Sequence, residues 1–227
     1  LEGFTRFSES HIWKIMMSFY DKTGVESWSH GIVPYFITCN AFIGRGYARV
    51  LAAYLADCMR QIGKAKLNKD EKLYILELGA GSGKFSFFML KALQEMSGRL
   101  AFPFSNIVYV MTDFTTKNFD FWDNHQALKP FIKDGHLDMC IFDASKDTSM
   151  TLAKSKTVLR PQSCVNPICV VANYLFDTLS HDMFQVSPEG ELLEGLISVG
   201  TTRAVEEDPL DPEIIKRMDN RFEYRSI

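Results

Sequence analysis

Three glycines recur at alternate positions in the segment Glu77-Leu-Gly-Ala-Gly-Ser-Gly83. Glycine lets the chain turn sharply, and it leaves room for a ligand to approach bare backbone. An apolar run precedes the segment and an amphipathic stretch follows it, so amide groups at the start of the next helix can face a carboxylate or a phosphate. We therefore predict that this glycine loop binds a small molecule carrying such a group.

Three ligand classes use loops of this kind, and spacing separates them. A P-loop requires G-x-x-x-x-G-K-[ST], but Leu78 and Phe85 stand where its first glycine and its hydroxyl residue belong, which excludes a nucleoside triphosphatase. A dinucleotide fingerprint requires G-x-G-x-x-G; Lys84 replaces its third glycine, so this interpretation is weaker but stays open. The motif of class I S-adenosylmethionine (SAM)-dependent methyltransferases, an acidic residue followed by x-G-x-G-x-G, resembles the segment at every position. On that resemblance the cofactor-binding residues of the loop are Glu77, Gly79, Ala80, Gly81 and Gly83.

Acidic or amide side chains follow three further apolar runs. Asp113 comes after the second run, where a carboxylate can hold both hydroxyls of a ribose, and Phe114 beside it can stack on an adenine or cover the sheet edge. Asp143-Ala144 follows the third run, where such methyltransferases place an acid near the adenine amino group. Asn173 follows the fourth run. One aspartate alone is equally well a helix cap or a solvated charge, but the ordered set favours a pocket.

The elements that must position these residues alternate along the chain. Short apolar runs predict strands, and 3.6-residue periodicity predicts helices. Strands are expected at 73–78, 107–111, 137–142 and 168–172, and helices at 84–96, at 115–128 and in the first part of 146–160. Such alternation is typical of βαβ units. It predicts an α/β fold of the Rossmann-like, class I methyltransferase type: a mostly parallel sheet with helices on both faces and ligands at the carboxyl ends of its strands.

The flanks of this pattern predict additional elements. Residues 8–22 have helical periodicity, and Asn40 can cap a second helix that runs to about Ile62 and stops at Gly63. We divide the chain into an N-terminal helical segment, residues 1–66, and a SAM-binding Rossmann-like domain, residues 67–227, whose C-terminal part is short. Beyond residue 182 we expect a β-hairpin of 183–186 with 192–199 and a final helix at 212–222.

Composition narrows the classes of partner. The 227 residues carry a formal net charge of -3, and no Lys/Arg-rich run could neutralise a row of phosphates, so nucleic acid is not expected. The longest apolar runs are too short to span a bilayer, so no membrane is expected. The five cysteines form no C-x-x-C pair and the five histidines lack metal spacing. We expect no metal and a reducing compartment, the cytoplasm or the mitochondrial matrix.

Two flanking motifs narrow the family. Pro34-Tyr-Phe-Ile-Thr38 matches the F-x-T part of a G-D-F-x-T-like segment, and residues 172–179 match the Asn and Asp of a-N-E-x-x-D-a-x-P, with Tyr174 in place of the glutamate and Ser180 in place of the proline. Over residues 10–200 the chain resembles the MidA-like SAM-dependent methyltransferases, a family that includes the mitochondrial complex I assembly arginine methyltransferase.

The resemblance implies SAM as the cofactor and a protein side chain, arginine in the best-known member, as the methyl acceptor. It places Thr38 and Asn173 at the cofactor, and it makes Asn173 and Asp177 the candidate catalytic residues. Tyr174 removes a carboxylate that a guanidinium could use. A catalytically inactive module that keeps the fold for binding or assembly is therefore the alternative, and another nucleotide-dependent Rossmann enzyme is the third.

Overall fold

The computed structural model describes residues 1–60 and 66–227. In chain order its helices are α1 (His11–Thr23), α2 (Glu26–Ser29), α3 (Ala41–Met59), α4 (Lys84–Glu95), α5 (Thr116–Asn124) and α6 (Lys129–Lys133). Its strands are β1 (Thr5–Arg6), β2 (Leu73–Leu78), β3 (Ile107–Asp113), β4 (Leu137–Ile141), β5 (Met150–Thr151), β6 (Val158–Leu159), β7 (Cys169–Ala172), β8 (Met183–Val186), β9 (Leu192–Thr201) and β10 (Met218–Ser226). Within the described ranges, none of the helices is both long and apolar enough to cross a membrane.

The described residues divide into two units. Gly24–Leu175 form one, which we call the parallel-sheet unit, and Leu1–Thr23 with Phe176–Ile227 form the other, the antiparallel-sheet unit. The expected division into residues 1–66 and 67–227 stays a prediction.

The parallel-sheet unit confirms the predicted α/β fold class. The expected helices on both faces are not found among the described residues: the helices pack on one face of the sheet, and the hairpin β5–β6 covers the other. Its four strands lie in the order β4-β3-β2-β7, and every neighbouring pair is parallel. Strand β3 is buried along its whole length, as expected for a strand with neighbours on both edges and cover on both faces. Because all four strands run in one direction, their carboxyl ends form one edge of the sheet, which we call the carboxyl edge.

Helices α3 and α4 pack side by side over the sheet. Asn40 caps α3 as predicted: its side chain accepts a hydrogen bond of 3.0 Å from the Ile43 amide. The predicted end of this helix at Ile62 and Gly63 lies outside the described residues. Where the two helices cross, a Cβ atom at Gly44 would lie 2.8 Å from Cβ of Phe88 and 3.0 Å from the backbone of α4. Only glycine allows so close an approach.

The sheet has a buried apolar cluster on each face. The larger cluster combines side chains of α3 and α4 with those of the strands and of α5 and α6, including Leu55, Phe85, Leu93, Tyr109, Trp122 and Phe131. The smaller cluster joins alternate residues of β2 and β3 to the segment that follows β4: Leu76, Val108, Val110, Cys140, Met150, Leu152 and Leu159. Side chains of one strand point alternately to the two clusters, which is the two-residue period of a strand.

The predicted helix in 146–160 is wrong. The segment forms the hairpin β5–β6 instead, because Met150 and Leu152 are buried while Thr151 between them is exposed, a period of two rather than 3.6. The buried carboxylate of Asp138 holds the turn. It accepts hydrogen bonds of 2.8 Å from the amides of Lys154 and of the following residue.

The antiparallel-sheet unit is built around β9, which pairs with β1 and β8 along one edge and with β10 along the other. The predicted hairpin of 183–186 with 192–199 is confirmed. The predicted helix at 212–222 is wrong in its second half: a 3₁₀ helix spans Pro212–Arg217, and the chain then becomes β10. Nine residue pairs of the β9–β10 ladder outweigh the local helical pattern, because the backbone groups of β10 that face β9 find their partners there.

Candidate functional site

The carboxyl edge brings the predicted loop and strand-end residues of the parallel-sheet unit to one side of the sheet. Strand β2 ends at Leu78 and the glycine loop follows, while β3 ends at Asp113, and β4 and β7 end at Ile141 and Ala172. Phe114, Asp143, Ala144 and Asn173 all lie within three residues of a strand end. Ligands of open parallel sheets bind outside this edge.

The glycine loop has the left-handed conformation that glycine favours, with φ of +68° at Gly79, +54° at Gly81 and +71° at Gly83. Gly79 is exposed, so its backbone is open to a ligand. A Cβ atom at Gly81 would lie 2.8 Å from Cζ2 of Trp28. A Cβ atom at Gly79 would lie 2.9 Å from Cδ1 of Leu175. Both glycines therefore leave room for a side chain of the protein itself, while the backbone of Gly79 stays exposed.

Two tryptophans that the sequence analysis did not single out, Trp122 and Trp28, contact the glycine loop at Gly81. The indole Nε1 of Trp122 donates a hydrogen bond of 2.9 Å to the Gly81 carbonyl oxygen, and Trp122 is fully buried. Trp28, in α2, covers Gly81 from another direction. Neither residue lies in a motif, and the loop's own spacing carries no signal for them.

The motif's acidic residue, Glu77, points into the protein. Its side chain is 2% exposed, and one carboxylate oxygen accepts hydrogen bonds from the Ser86 hydroxyl and, at 2.7 Å, from the Tyr109 hydroxyl. Burial raises the pKa of Glu77 to about 7. In this structure Glu77 therefore ties β2, β3 and α4 together behind the loop, and its contact with a ligand stays a prediction.

This burial gives stability a pH dependence. The unfolded chain releases the Glu77 proton near pH 4.5, whereas the folded chain keeps it to about pH 7. The contribution is complete below pH 4.5 and is lost as the pH rises to about 7, so this group should lower the free energy of unfolding by up to about 3 kcal/mol over that range. Urea denaturation at a series of pH values should show the loss in the wild type and not in Glu77→Gln. Glu71→Gln, at an exposed position, is the control; equal pH slopes in wild type and Glu77→Gln would contradict this account.

Asp113 is placed at the end of β3 as predicted, but its carboxylate is engaged with the protein. It is 6% exposed and accepts 3.1 Å hydrogen bonds from the Gly81 amide and from the amide and hydroxyl of Thr115. Burial raises its pKa, and these hydrogen bonds act against that rise. A carboxylate offers about four acceptor positions. The Asn118 side chain also donates to Asp113, so the protein itself fills these positions. Asp113 thus clamps the glycine loop to β3, and its contact with a ribose stays a prediction.

Asp143 follows β4 in a loop that it organises itself. Its carboxylate accepts hydrogen bonds from the Ser145 amide at 2.9 Å and the Lys146 ammonium at 2.8 Å. Partial burial acts to raise the pKa of Asp143, but these bonds outweigh burial and hold the pKa below its usual value. Ala144 and Phe114 are half-buried at the same edge. The roles of these three residues toward an adenine stay predictions.

The structure brings Thr38 and Asn173 together. The Asn173 side-chain amide donates a hydrogen bond of 3.3 Å to the Thr38 carbonyl oxygen, which joins the end of β7 to the segment before α3. The next residue, Tyr174, has φ of +54°, uncommon for a residue with a side chain, and is 70% exposed. Asp177 belongs to the antiparallel-sheet unit, where it is exposed in the 3₁₀ helix Phe176–Thr178.

The chemistry available at the carboxyl edge is that of backbone, amide and carboxylate groups. Within residues 1–60 and 66–227, no three or more His, Cys, Asp or Glu side chains are arranged to hold a metal ion. An open glycine backbone, one carboxylate acceptor and an amide can orient a polar cofactor.

Comparison with known families and structures gives two findings. A family model described as "Putative S-adenosyl-L-methionine-dependent methyltransferase" matches residues 50–226. Two solved structures of one superfamily from Burkholderia thailandensis resemble the chain, each at 15% identity over 99% of its length. Their TM-scores are 0.50 and 0.48, and the second structure holds S-adenosyl-homocysteine. The chain spans 44% and 46% of the length of these two proteins. Curated protein sequences give no match.

Proposed function

The chain belongs to the SAM-dependent methyltransferase family, and on that premise we propose that it binds SAM at the carboxyl edge and transfers the methyl group to a protein side chain. The observation that carries the cofactor half is the clamped glycine loop, in which Asp113 holds Gly81 while Gly79 stays open. The chain spans less than half of each similar structure, so its activity and its substrate are proposals that rest on its own residues.

The described residues fit SAM in three respects. The exposed backbone of Gly79 allows the cofactor to lie against it, in a left-handed conformation that glycine favours. Asp113 holds the loop, and it can accept a ribose hydroxyl when one of its present donors gives way to the cofactor. Asn173, already bonded to Thr38, can orient the amino-acid end of the cofactor. SAM supplies the activated methyl group, so the protein has mainly to position the acceptor and exclude water.

The acceptor is proposed to be the side chain of a protein, arginine by resemblance to the MidA-like family. Tyr174 replaces the family glutamate, but it is exposed, and an exposed aromatic ring can stack on a guanidinium. Asp177 belongs to the antiparallel-sheet unit, and its catalytic role stays a prediction from the resemblance alone. The five cysteines are free, in keeping with a proposed reducing compartment.

Calorimetric titration with S-adenosyl-homocysteine tests the cofactor half. We expect saturable 1:1 binding by the folded chain. A folded chain that binds neither this compound nor SAM would end the proposal, including its substrate half.

Methyl transfer needs its own experiment. Cell extract incubated with radiolabelled SAM and the chain should yield a labelled protein band, and Asn173→Ala should weaken the band at least about tenfold if the amide orients the reactants. Gln162→Ala, in an exposed turn, is the control. The replacement of the family glutamate by Tyr174 favours the second candidate, a module that binds SAM without transfer; bound cofactor with no labelled band would support it.

A further inference from the structure

A cavity of the parallel-sheet unit lies against the first turns of α4, and its lining includes Ser82 and Gly83 at the end of the glycine loop. It has a volume of about 440 Å³, within the range of ligand pockets. Among its described lining residues there is none of the strand-end residues Asp113, Asp143 and Asn173. Its walls include Trp28, Tyr35, Phe87, Phe88, Phe121 and Leu128.

The walls of this cavity are apolar and largely aromatic, which favours a ligand with a flat apolar body. Phe87 and Phe88 come from α4, while Phe121 comes from α5 and remains 37% exposed. The Phe121 ring contacts the ring of His125, another lining residue, and Phe87 contacts Phe88 edge to face. The part of Phe121 that stays exposed is available for contact with a planar group.

Lys84 gives the described lining of the cavity a positive charge. Lys84 is a lining residue, and its ammonium lies 4.7 Å from the centre of the Tyr35 ring, which is also part of the lining. Within the described lining there is no carboxylate, and none of the ion pairs found in residues 1–60 and 66–227 includes Lys84. The start of α4 adds the positive end of a helix dipole at the same place.

From these observations we propose that this cavity is a binding site for a small aromatic carboxylic acid, whose ring lies among Trp28, Phe88 and Phe121 and whose carboxylate pairs with Lys84. The ligand matches the cavity in shape and in charge. Its apolar ring would contact the aromatic side chains, and its carboxylate would lie near the Lys84 ammonium. An acid of this class would contact Ser82, Gly83 and Lys84 where the glycine loop enters α4.

Two probes of nearly the same shape separate charge from apolar contact. Titration of the full chain with 2-naphthoate, followed by calorimetry, should give saturable 1:1 binding. The uncharged analogue 2-naphthalenemethanol should bind at least about tenfold more weakly, because a charge-assisted contact is lost. This comparison uses only the wild type, so it does not depend on the folding of any variant.

Variants then assign the charge to Lys84. Lys84→Met should lower the affinity for 2-naphthoate about tenfold, to that of the uncharged analogue, and leave the analogue's affinity unchanged. Lys91→Met is the matched control, because Lys91 lies on the same helix with its ammonium 6.0 Å from the Phe87 ring, yet is not a lining residue. Failure of 2-naphthoate to saturate, equal binding of the two probes, or Lys84→Met binding as the wild type does would each overturn the proposal.

Discussion

Replacing Asp113 by alanine should weaken SAM binding on the order of 100-fold and lower the unfolding temperature by several degrees. The substitution removes the acceptor for the Gly81 amide and for the amide and hydroxyl of Thr115, all at a buried position. Each buried donor left without a partner costs about 1–3 kcal/mol, and 1 kcal/mol shifts the unfolding temperature of a chain this long by about 2–4 °C. The loop then loses its clamp, and with it the fixed backbone position against which we propose that the cofactor binds. Calorimetric titration and thermal denaturation measure the two effects.

Asp143→Ala is the control for stability. Asp143 also follows a strand, but its carboxylate bonds only to nearby groups of its own loop, at Ser145 and Lys146. Its loss should change the unfolding temperature by less than about 2 °C, as for exposed ion pairs in general. If Asp113→Ala unfolds at the wild-type temperature, the carboxylate does not hold the loop, and our description of the site is mistaken.

A valine at position 79 should abolish SAM binding over the measurable range, an increase of Kd of about 100-fold or more, because its side chain would collide with Leu175 and displace the loop backbone against which the cofactor is proposed to lie. The residue is exposed and has φ of +68°, and a Cβ atom there would lie 2.9 Å from Cδ1 of Leu175. Left-handed backbone at a residue with a Cβ costs roughly 1–2 kcal/mol. Some loss of stability is therefore expected as well.

Gly135→Val separates the loss of SAM binding from the loss of stability. Gly135 has φ of +75°, and a Cβ atom at this position would meet no heavy atom within 4 Å. The same substitution there should impose a similar backbone cost while leaving SAM binding unchanged. A Gly79→Val protein that binds SAM as tightly as Gly135→Val does would place the cofactor away from this loop.

Much of the parallel sheet could be predicted because its strands are nearly continuous apolar runs bounded by polar residues. Strand β3 illustrates this: it is buried throughout, and Asp113 marks its end. The cap at Asn40 could also be predicted, because the capping bond joins residues only three positions apart. Signals of this kind are local, and a single sequence carries them.

The two predicted helices that are wrong, in 146–160 and in the second half of 212–222, fail because contacts with distant residues decide the structure there. In 146–160 the decisive contact is the carboxylate of Asp138, which binds backbone amides sixteen and seventeen residues away. In 218–226 it is the ladder with β9. Neither pairing can be recognised from the residues of the segment itself, whose periodicity indicates a helix.

At the candidate site, too, the local signals could be predicted and the contacts between distant residues could not. The glycine loop and the strand-end residues could be located by order and spacing, but their supports could not. Trp122 reaches the Gly81 carbonyl across 41 positions, and Tyr109 reaches Glu77 across 32. Consequently the orientation of Glu77 toward the interior, and the engagement of Asp113 by the loop, became visible only in three dimensions.

The contact at Gly44 has a consequence for motion. Cβ of Phe88 and the backbone of α4 lie directly against Gly44, so a side chain at position 44 would push α3 and α4 apart. Thr38 lies just before α3, and Gly83 lies just before α4. We therefore expect these two segments to keep a fixed spacing, and any opening that admits a ligand to the carboxyl edge to come from loops outside this helix pair.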